Sequence, residues 1–235
     1  MYRSLFFISF MQKIQMIIRL IFIAMSFLSL PSIFSQTQIQ DPLSGRVLNV
    51  SKYAGISGSP FLNDLWINGD VTIKKGVYAN IPLKYDAFSN VLYFNRNDEL
   101  FEFDDDVISF VLKPNNEDVS TYRFFVKGLE GLGVKRNQFL QQLYNGVSGF
   151  YKATFMFLSE TNKINEGVVK NFQKTEKYFF KQGDKIIQIN LSKKDILALF
   201  GEKQTKVESY TTAAGLSYKK ESDVSKIFQY FDGLR

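Results

Sequence analysis

Between Ser57 and Phe94 the chain reads SGSPFLNDLWINGDVTIKKGVYANIPLKYDAFSNVLYF, and this stretch constrains the fold more than any other. Turn residues punctuate it at short intervals, and apolar residues alternate between them. Gly58-Ser59-Pro60 is a turn cluster, because glycine tolerates positive φ and proline fixes φ near its turn value. Asn68-Gly69-Asp70 is a second. Val71 and Ile73 flank Thr72 with the period of a half-buried strand. Lys74-Lys75-Gly76 is a tight connection, and Val77, Ala79, Ile81, Leu83 and Tyr85 share one face of the following strand. The two runs predict a β-hairpin. Pro82 has no N–H to donate, so it predicts an edge or a bulge at that point. Asp86 to Asn90 is a turn, and Val91 to Phe94 opens another strand.

The same grammar continues. Val91–Phe94 and Leu100–Phe103 predict a hairpin around a polar four-residue loop, Asn95–Asp98. Strands are predicted at Val107–Leu112, Tyr122–Val126 and Gly149–Leu158. Gln182-Gly183-Asp184 predicts a hairpin between Glu176–Lys181 and Lys185–Asn190. Phe139, Leu140, Leu143 and Tyr144 fall on one helical face, so a short helix is predicted over Asn137–Tyr144, stopping at Asn145-Gly146. Ser159–Lys174 is polar and predicts a long loop. The C-terminal segment changes character. Ser192 with Asp195 resembles a capping box, and the helix it opens stops at Gly201. A second helix is predicted from about Glu202 to Ala214, with Val207, Tyr210 and Ala214 inward and Gly215 as its cap. A third is capped by Ser222, and its Val224, Ile227, Phe228 and Phe231 form a packing stripe.

The N-terminal part has a different logic. Lys13 and Arg19 precede the apolar run Leu20–Leu30, and the small residue Ser35 follows shortly after. Basic, apolar and small in that order predict a secretory signal peptide over residues 1–35, cleaved after Ser35. The run is short for a membrane span of about 20 residues. Translation is expected to begin at Met16 or Met11 rather than Met1, since a start at Met16 gives a compact signal by itself; the competing reading is an uncleaved membrane anchor joining the apolar runs Leu5–Phe10 and Leu20–Leu30. A mature domain over residues 36–235 is then long enough to bury a core without disulfides. The chain has no cysteine, which excludes disulfides and a cysteine-linked lipid anchor.

Charge and composition narrow the chemistry. The formal charge is +6, and loss of Arg3, Lys13 and Arg19 with the signal lowers it to +3. That excess is too small to mark a nucleic-acid-binding surface. The absence of histidine removes Ser-His-Asp triads and most zinc sites. Carboxylate-pair chemistry needs only Asp and Glu, but no motif marks it. Asp104-Asp105-Asp106 would suit a hard cation by residue type, yet three consecutive acids do not have the alternate spacing of a calcium loop. Gly128, Gly131 and Gly133 lack phosphate-loop spacing. Trp66 reads either as a stacking platform for a sugar or base, or as a core or rim side chain at the mouth of a hairpin. Packing is the commoner use of such a residue. No catalytic, cofactor-binding or metal residue is assigned.

The segments GSPFLNDLWINGDVTIKKGVYANIPLKYDAFSNVLYF, KYFFKQGDKIIQINLSKKDILALFG and KKESDVSKIFQYFDGL together resemble an uncharacterised family of exported Bacteroidetes proteins. The shared features are a G-S/T-P-Y/F-L motif with a tryptophan soon after, a Tyr-Asp pair followed by N-x-L, and a lysine-rich C-terminal helix. The resemblance covers roughly Gly55 to the end and implies export. It implies no activity and no site residue.

The sequence therefore predicts an α+β protein: a mainly antiparallel, curved β-sheet with one inserted helix and three short C-terminal helices. It is expected in the periplasm, at the outer membrane or outside the cell. The expected function is non-catalytic interaction or structure in the envelope. The alternative is a carrier of a lipid or other apolar ligand. Neither nucleic acid nor a membrane span after signal cleavage is expected, and no cofactor is implied.

Overall fold

The computed structural model describes residues 45–47, 50–131, 133–163 and 167–234. The predicted signal peptide and its cleavage point lie outside these residues. Among the described residues, no helix is long and apolar enough to cross a membrane.

The protein is α+β, and among the described residues it is built on one sheet with three α-helices. The strands are β1 (Gly45–Val47), β2 (Ile56–Ser57), β3 (Ile67–Ile73), β4 (Gly76–Asp86), β5 (Val91–Arg96) and β6 (Glu99–Phe103). They continue as β7 (Val107–Leu112), β8 (Arg123–Val126), β9 (Leu140–Asn145), β10 (Ser148–Lys163), β11 (Gly167–Gln182) and β12 (Lys185–Ile189). Their spatial order is β1-β6-β5-β4-β3-β7-β8-β9-β10-β11-β12, with β2 also on β11. Every pairing along that path is antiparallel, and β2 joins β11 in parallel. The sheet is therefore mixed. The helices are α1 (Lys193–Ala198), α2 (Gln204–Ala213) and α3 (Glu221–Gly233).

The hairpin at Lys74-Lys75 forms as the sequence predicts, and Pro82 sits where the β4–β5 pairing ends, two residues from a bulge on the β3 side. The β4–β5 pairing begins only at Leu83, so nothing on that side needs a proline N–H. On the other side β3 and β4 slip register between Gly69 and Val71. Asn80 occupies the bulge at φ +56, and its N–H donates to the Asp70 carboxylate at 3.0 Å. Gly69 is required by close approach, because a Cβ there would overlap the Val111 carbonyl oxygen on β7. The β5–β6 loop differs from the expected four residues. Asn97 and Asp98 have φ of +53 and +63, making a two-residue hairpin with both central residues left-handed.

Two larger expectations are overturned. Asn137–Tyr144 is not an inserted helix; its second half is strand β9. The register between β9 and β10 shifts, so that Tyr144 faces Phe150 and Gln142 faces Tyr151. Leu143 is the extra residue of a β-bulge. The bulge sends Leu143 and Tyr144 together toward the helices, while Leu140 packs on the opposite face. A strand buried on both faces with a bulge reproduces the spacing of a helical stripe. Ser159–Lys163 and Gly167–Lys174 are likewise not loop but strand, the outer parts of β10 and β11.

Apolar side chains collect in three clusters. The first draws on β3, β4, β5, β7 and β8, where Phe110 stacks on Phe125 at 4.4 Å and Phe94 on Phe101 at 5.4 Å. The second joins β10–β12 to the helices through Phe150, Phe180, Phe200 and the predicted stripe Val224, Ile227, Phe228 and Phe231, all buried. Phe228 stacks on Phe180 at 5.0 Å. The third lies on the other face of the same strands, where Val134 covers Leu140, Phe179 and Ile186. The strands from β9 to β12 are thus covered on both sides.

Helix ends follow local chemistry in part: α1 stops at Ala198, and Gly201 instead opens a 3-10 turn over Gly201–Lys203, so that α2 starts at Gln204 rather than at Glu202. Ser192 caps α1 by accepting the Asp195 N–H at 3.1 Å, while Asp195 reaches back past the cap to the Asn190 side chain at 2.7 Å. Gly215, at φ +63, closes α2; its N–H meets the Thr212 carbonyl and that of Leu216 meets Thr211. Ala214 is exposed, and Thr211 takes the inward position instead. Ser222 does not cap α3. That helix starts at Glu221 after Lys220, with Glu221 drawn to Lys152 at 2.9 Å and Asp223 accepting the Ser217 N–H at 3.0 Å. Both acids lie in the first turn, where they suit the helix dipole.

Replacing Gly69 by alanine drives a methyl into the Val111 carbonyl. The expected loss is about 3 kcal/mol of stability, read as a lower urea midpoint.

Candidate functional site

The motif residues that carried the family resemblance meet in space, and they do so as structure. Asp86 is fully buried at the end of β4. Its carboxylate accepts the N–H groups of Phe88 at 2.9 Å and Ser89 at 2.8 Å, and the Tyr53 hydroxyl donates to it as well. Pro60 lies against the same turn, its carbonyl accepting from Ala87 at 2.9 Å, and the Leu62 N–H donates to Tyr85 at 2.9 Å. At the turn's other end Asn90, at φ +58, accepts the Tyr85 hydroxyl at 2.8 Å and the Phe139 N–H at 3.1 Å. Its amide donates to the Asn137 carbonyl at 2.8 Å. The Gly-Ser-Pro-Phe-Leu and Tyr-Asp motifs thus form one clasp.

The clasp holds the base of a projecting arm. β10 pairs with β9 only over Gly149–Lys152, and β11 pairs with β12 only over Tyr178–Gln182. Beyond those points β10 and β11 continue as a ribbon to Lys163 and Gly167, joined only by the short β2 at Lys170 and Asn171. Phe172 on β11 packs edge-on against Phe88 at 5.3 Å and Tyr53 at 5.5 Å, and the Met156 N–H reaches the Ala87 carbonyl at 3.3 Å.

Apolar side chains continue outward from that anchor. Leu158 is directly opposite Phe172, and Val168 lies two pairs further along the same face. Phe88 is 40% exposed, Leu158 36% and Val168 58%. Phe157, 48% exposed, points to the other face. Lys170 pairs with Glu160 at 3.2 Å between Leu158 and Val168, and Lys174 with Glu176 at 3.1 Å near the base. The exposed apolar side chains are thus interleaved with two Lys–Glu pairs.

The residues singled out in the sequence fall elsewhere. Asp105 and Asp106 bind lysines, Asp105 to Lys75 at 2.9 Å and Asp106 to Lys127. Among the described residues no group of three or more potential metal ligands occurs. In the glycine-rich segment a Cβ at Gly131 is excluded by Ile186 on β12, while Gly128 and Gly133 adopt positive φ. Trp66 lies outside all three clusters and lines a groove of about 620 Å³ just before β3. The sequence reasoning missed the arm altogether.

Titration follows burial. Burial, and then the hydrogen bond to Asp86, pushes the Tyr53 phenol well above its ordinary range. Burial and the neighbouring Asp86 charge do the same to Tyr85, and burial with the Glu221 hydrogen bond does so to Tyr178. Burial opposes ionisation of Asp70, but Lys113 and the Asn80 N–H outweigh it and hold that carboxyl below the usual range.

No protein-family model, no curated protein and no solved structure matches this chain.

Two predictions follow from the clasp. Asp86→Ala removes the acceptor shared by the Phe88 N–H, the Ser89 N–H and the Tyr53 hydroxyl, and is expected to cost about 3 kcal/mol in chemical denaturation. Raised phenol pKa values stabilise the fold fully below the unfolded tyrosine value of about 10. That stability is lost as pH climbs toward the folded values. A spectrophotometric titration should therefore show part of the phenolate absorbance appearing only together with loss of structure.

Proposed function

We propose that the protein is an exported, non-catalytic interaction protein of the cell envelope, with the β10–β11 arm as its contact element. The observation that carries this reading is the arm itself: a two-stranded ribbon that leaves the sheet and presents Leu158 and Val168 on one face and Phe157 on the other. A lone ribbon has too little covered surface to be stable by itself, so its anchoring by the Asp86 clasp makes it a prepared projection. Its outer strand edges also offer unpaired backbone groups to an incoming strand.

Export rests on the basic, apolar and small-residue order of the first 35 residues and on the resemblance to exported Bacteroidetes proteins. The compartment proposed is the periplasm, the outer membrane or the exterior. The lack of histidine and cysteine supports a non-catalytic role. The first apolar cluster contains residues of five strands and no helix residue among those described, which supports a sheet curved over its own apolar side. A carrier would hold its ligand there, and that space is filled by Phe94, Phe110 and Phe125, each almost wholly buried. The packing therefore favours the interaction reading over the carrier.

Native mass spectrometry of the protein purified from its own envelope tests the choice. The expected result is a stoichiometric protein partner, released by Leu158→Ser with Val168→Ser while circular dichroism stays unchanged. A co-purifying small apolar mass, or a partner indifferent to the arm variants, contradicts the proposal.

A further inference from the structure

A second site stands apart from the arm. Two walls, Asn63–Asn68 and Lys113–Asn116, enclose the groove of about 620 Å³ that Trp66 lines. The walls are tied at their base by the Lys113 N–H, which donates to the Asn68 carbonyl at 2.8 Å. The second wall is braced: Asn115 accepts the Glu117 N–H at 3.0 Å, and the Tyr122 hydroxyl donates to the Asn116 carbonyl at 3.0 Å. Lys84 lies over the Trp66 ring at 5.4 Å and over Phe61 at 4.6 Å, fixing the indole without lining the groove.

The lining has a consistent chemistry. It combines one flat aromatic ring with the side chains of Asn63, Asp64, Asn68 and Asn116. An aromatic face beside planar amides and a carboxylate matches a pyranose ring, which has an apolar face and a rim of hydroxyls. Charge selects further. Lys113 is the one cation in the lining, and both Asp70 oxygens engage it, at 2.8 and 2.6 Å. Its charge is neutralised, whereas the exposed Asp64 carboxylate repels anions. We propose that this groove binds a neutral saccharide, with Trp66 as the stacking platform and the exposed Asp64 and Asn116 as hydroxyl partners. The site needs no participation by the arm, so it stands or falls separately from the interaction proposal.

Trp66 is the chain's only tryptophan, so intrinsic fluorescence reports this groove directly. The protein, purified as its host processes it, is titrated with maltohexaose, cellohexaose, xylohexaose, mannohexaose and chitohexaose, and with hexagalacturonate as the acidic control. The expected result is a saturable change in emission with at least one neutral hexasaccharide and none with hexagalacturonate. Calorimetry should then show Trp66→Ala weakening that binding by at least about tenfold and Asn116→Ala by about fivefold. Asp64→Ala, at an exposed position, controls for folding and should weaken binding by a similar factor. A flat response to all five neutral sugars overturns the proposal. So does preference for hexagalacturonate, or binding that survives Trp66→Ala unchanged.

Discussion

One buried carboxylate holds the parts of this protein in register. Asp86 closes the β4–β5 turn through two backbone N–H groups and takes a hydroxyl from Tyr53, which precedes β2 in the chain. A buried acid is costly without such donors, so the turn can adopt only a conformation that supplies them. Three distant segments then dock on that turn: Pro60–Leu62 by backbone bonds, Phe172 of the arm by ring contacts, and Asn137–Phe139 through Asn90. The last contact delivers the chain to β9, and with it to the half of the sheet that carries the helices. Loss of the turn would therefore unhitch the arm and the entry segment together.

The helical half depends on different physics. β9–β12 are covered by helices on one face and by the Gly128–Phe139 segment on the other, and rings fill the space between. Phe228 touches Phe150, Phe180 and Phe200, joining β10, β11 and the chain after α1 through a single side chain. The Lys152 ammonium, mostly buried, is matched by Glu221 at the start of α3, and Tyr178 donates to the same carboxylate at 2.8 Å. This polar pair fixes the end of α3 over the sheet, while the apolar stripe supplies the adhesion. The division is ordinary for a sheet covered by short helices.

Much of this was legible in the sequence because local chemistry decided it. The Lys74-Lys75 and Gly183-Asp184 hairpins, the Pro82 boundary, the Ser192 cap, the Gly215 stop and the α3 stripe all follow from backbone freedom or period within a few residues. β9 was not legible, because a bulge at Leu143 in a strand buried on both faces imitates a helical stripe. Nor was the outer arm, because alternation records burial of one face and the ribbon has neither face covered. The roles of Asp86 and Asn90 were also hidden: each looks like an ordinary turn former, and only the fold brings Tyr53, Pro60 and Phe139 to them. Trp66 showed its type in the sequence but not its setting, since Lys113–Asn116 lies far along the chain from it.

Site-specific photocrosslinking in the native cell tests the central claim, that the arm is where this protein meets its partner, most directly. A benzophenone side chain is placed in turn at Phe157, Leu158 and Val168, and at the exposed Glu202 and Lys219 as controls. Contact through the arm gives one discrete protein adduct from the arm positions and none from the controls. Adducts absent from the arm, or equal at all five positions, would contradict it.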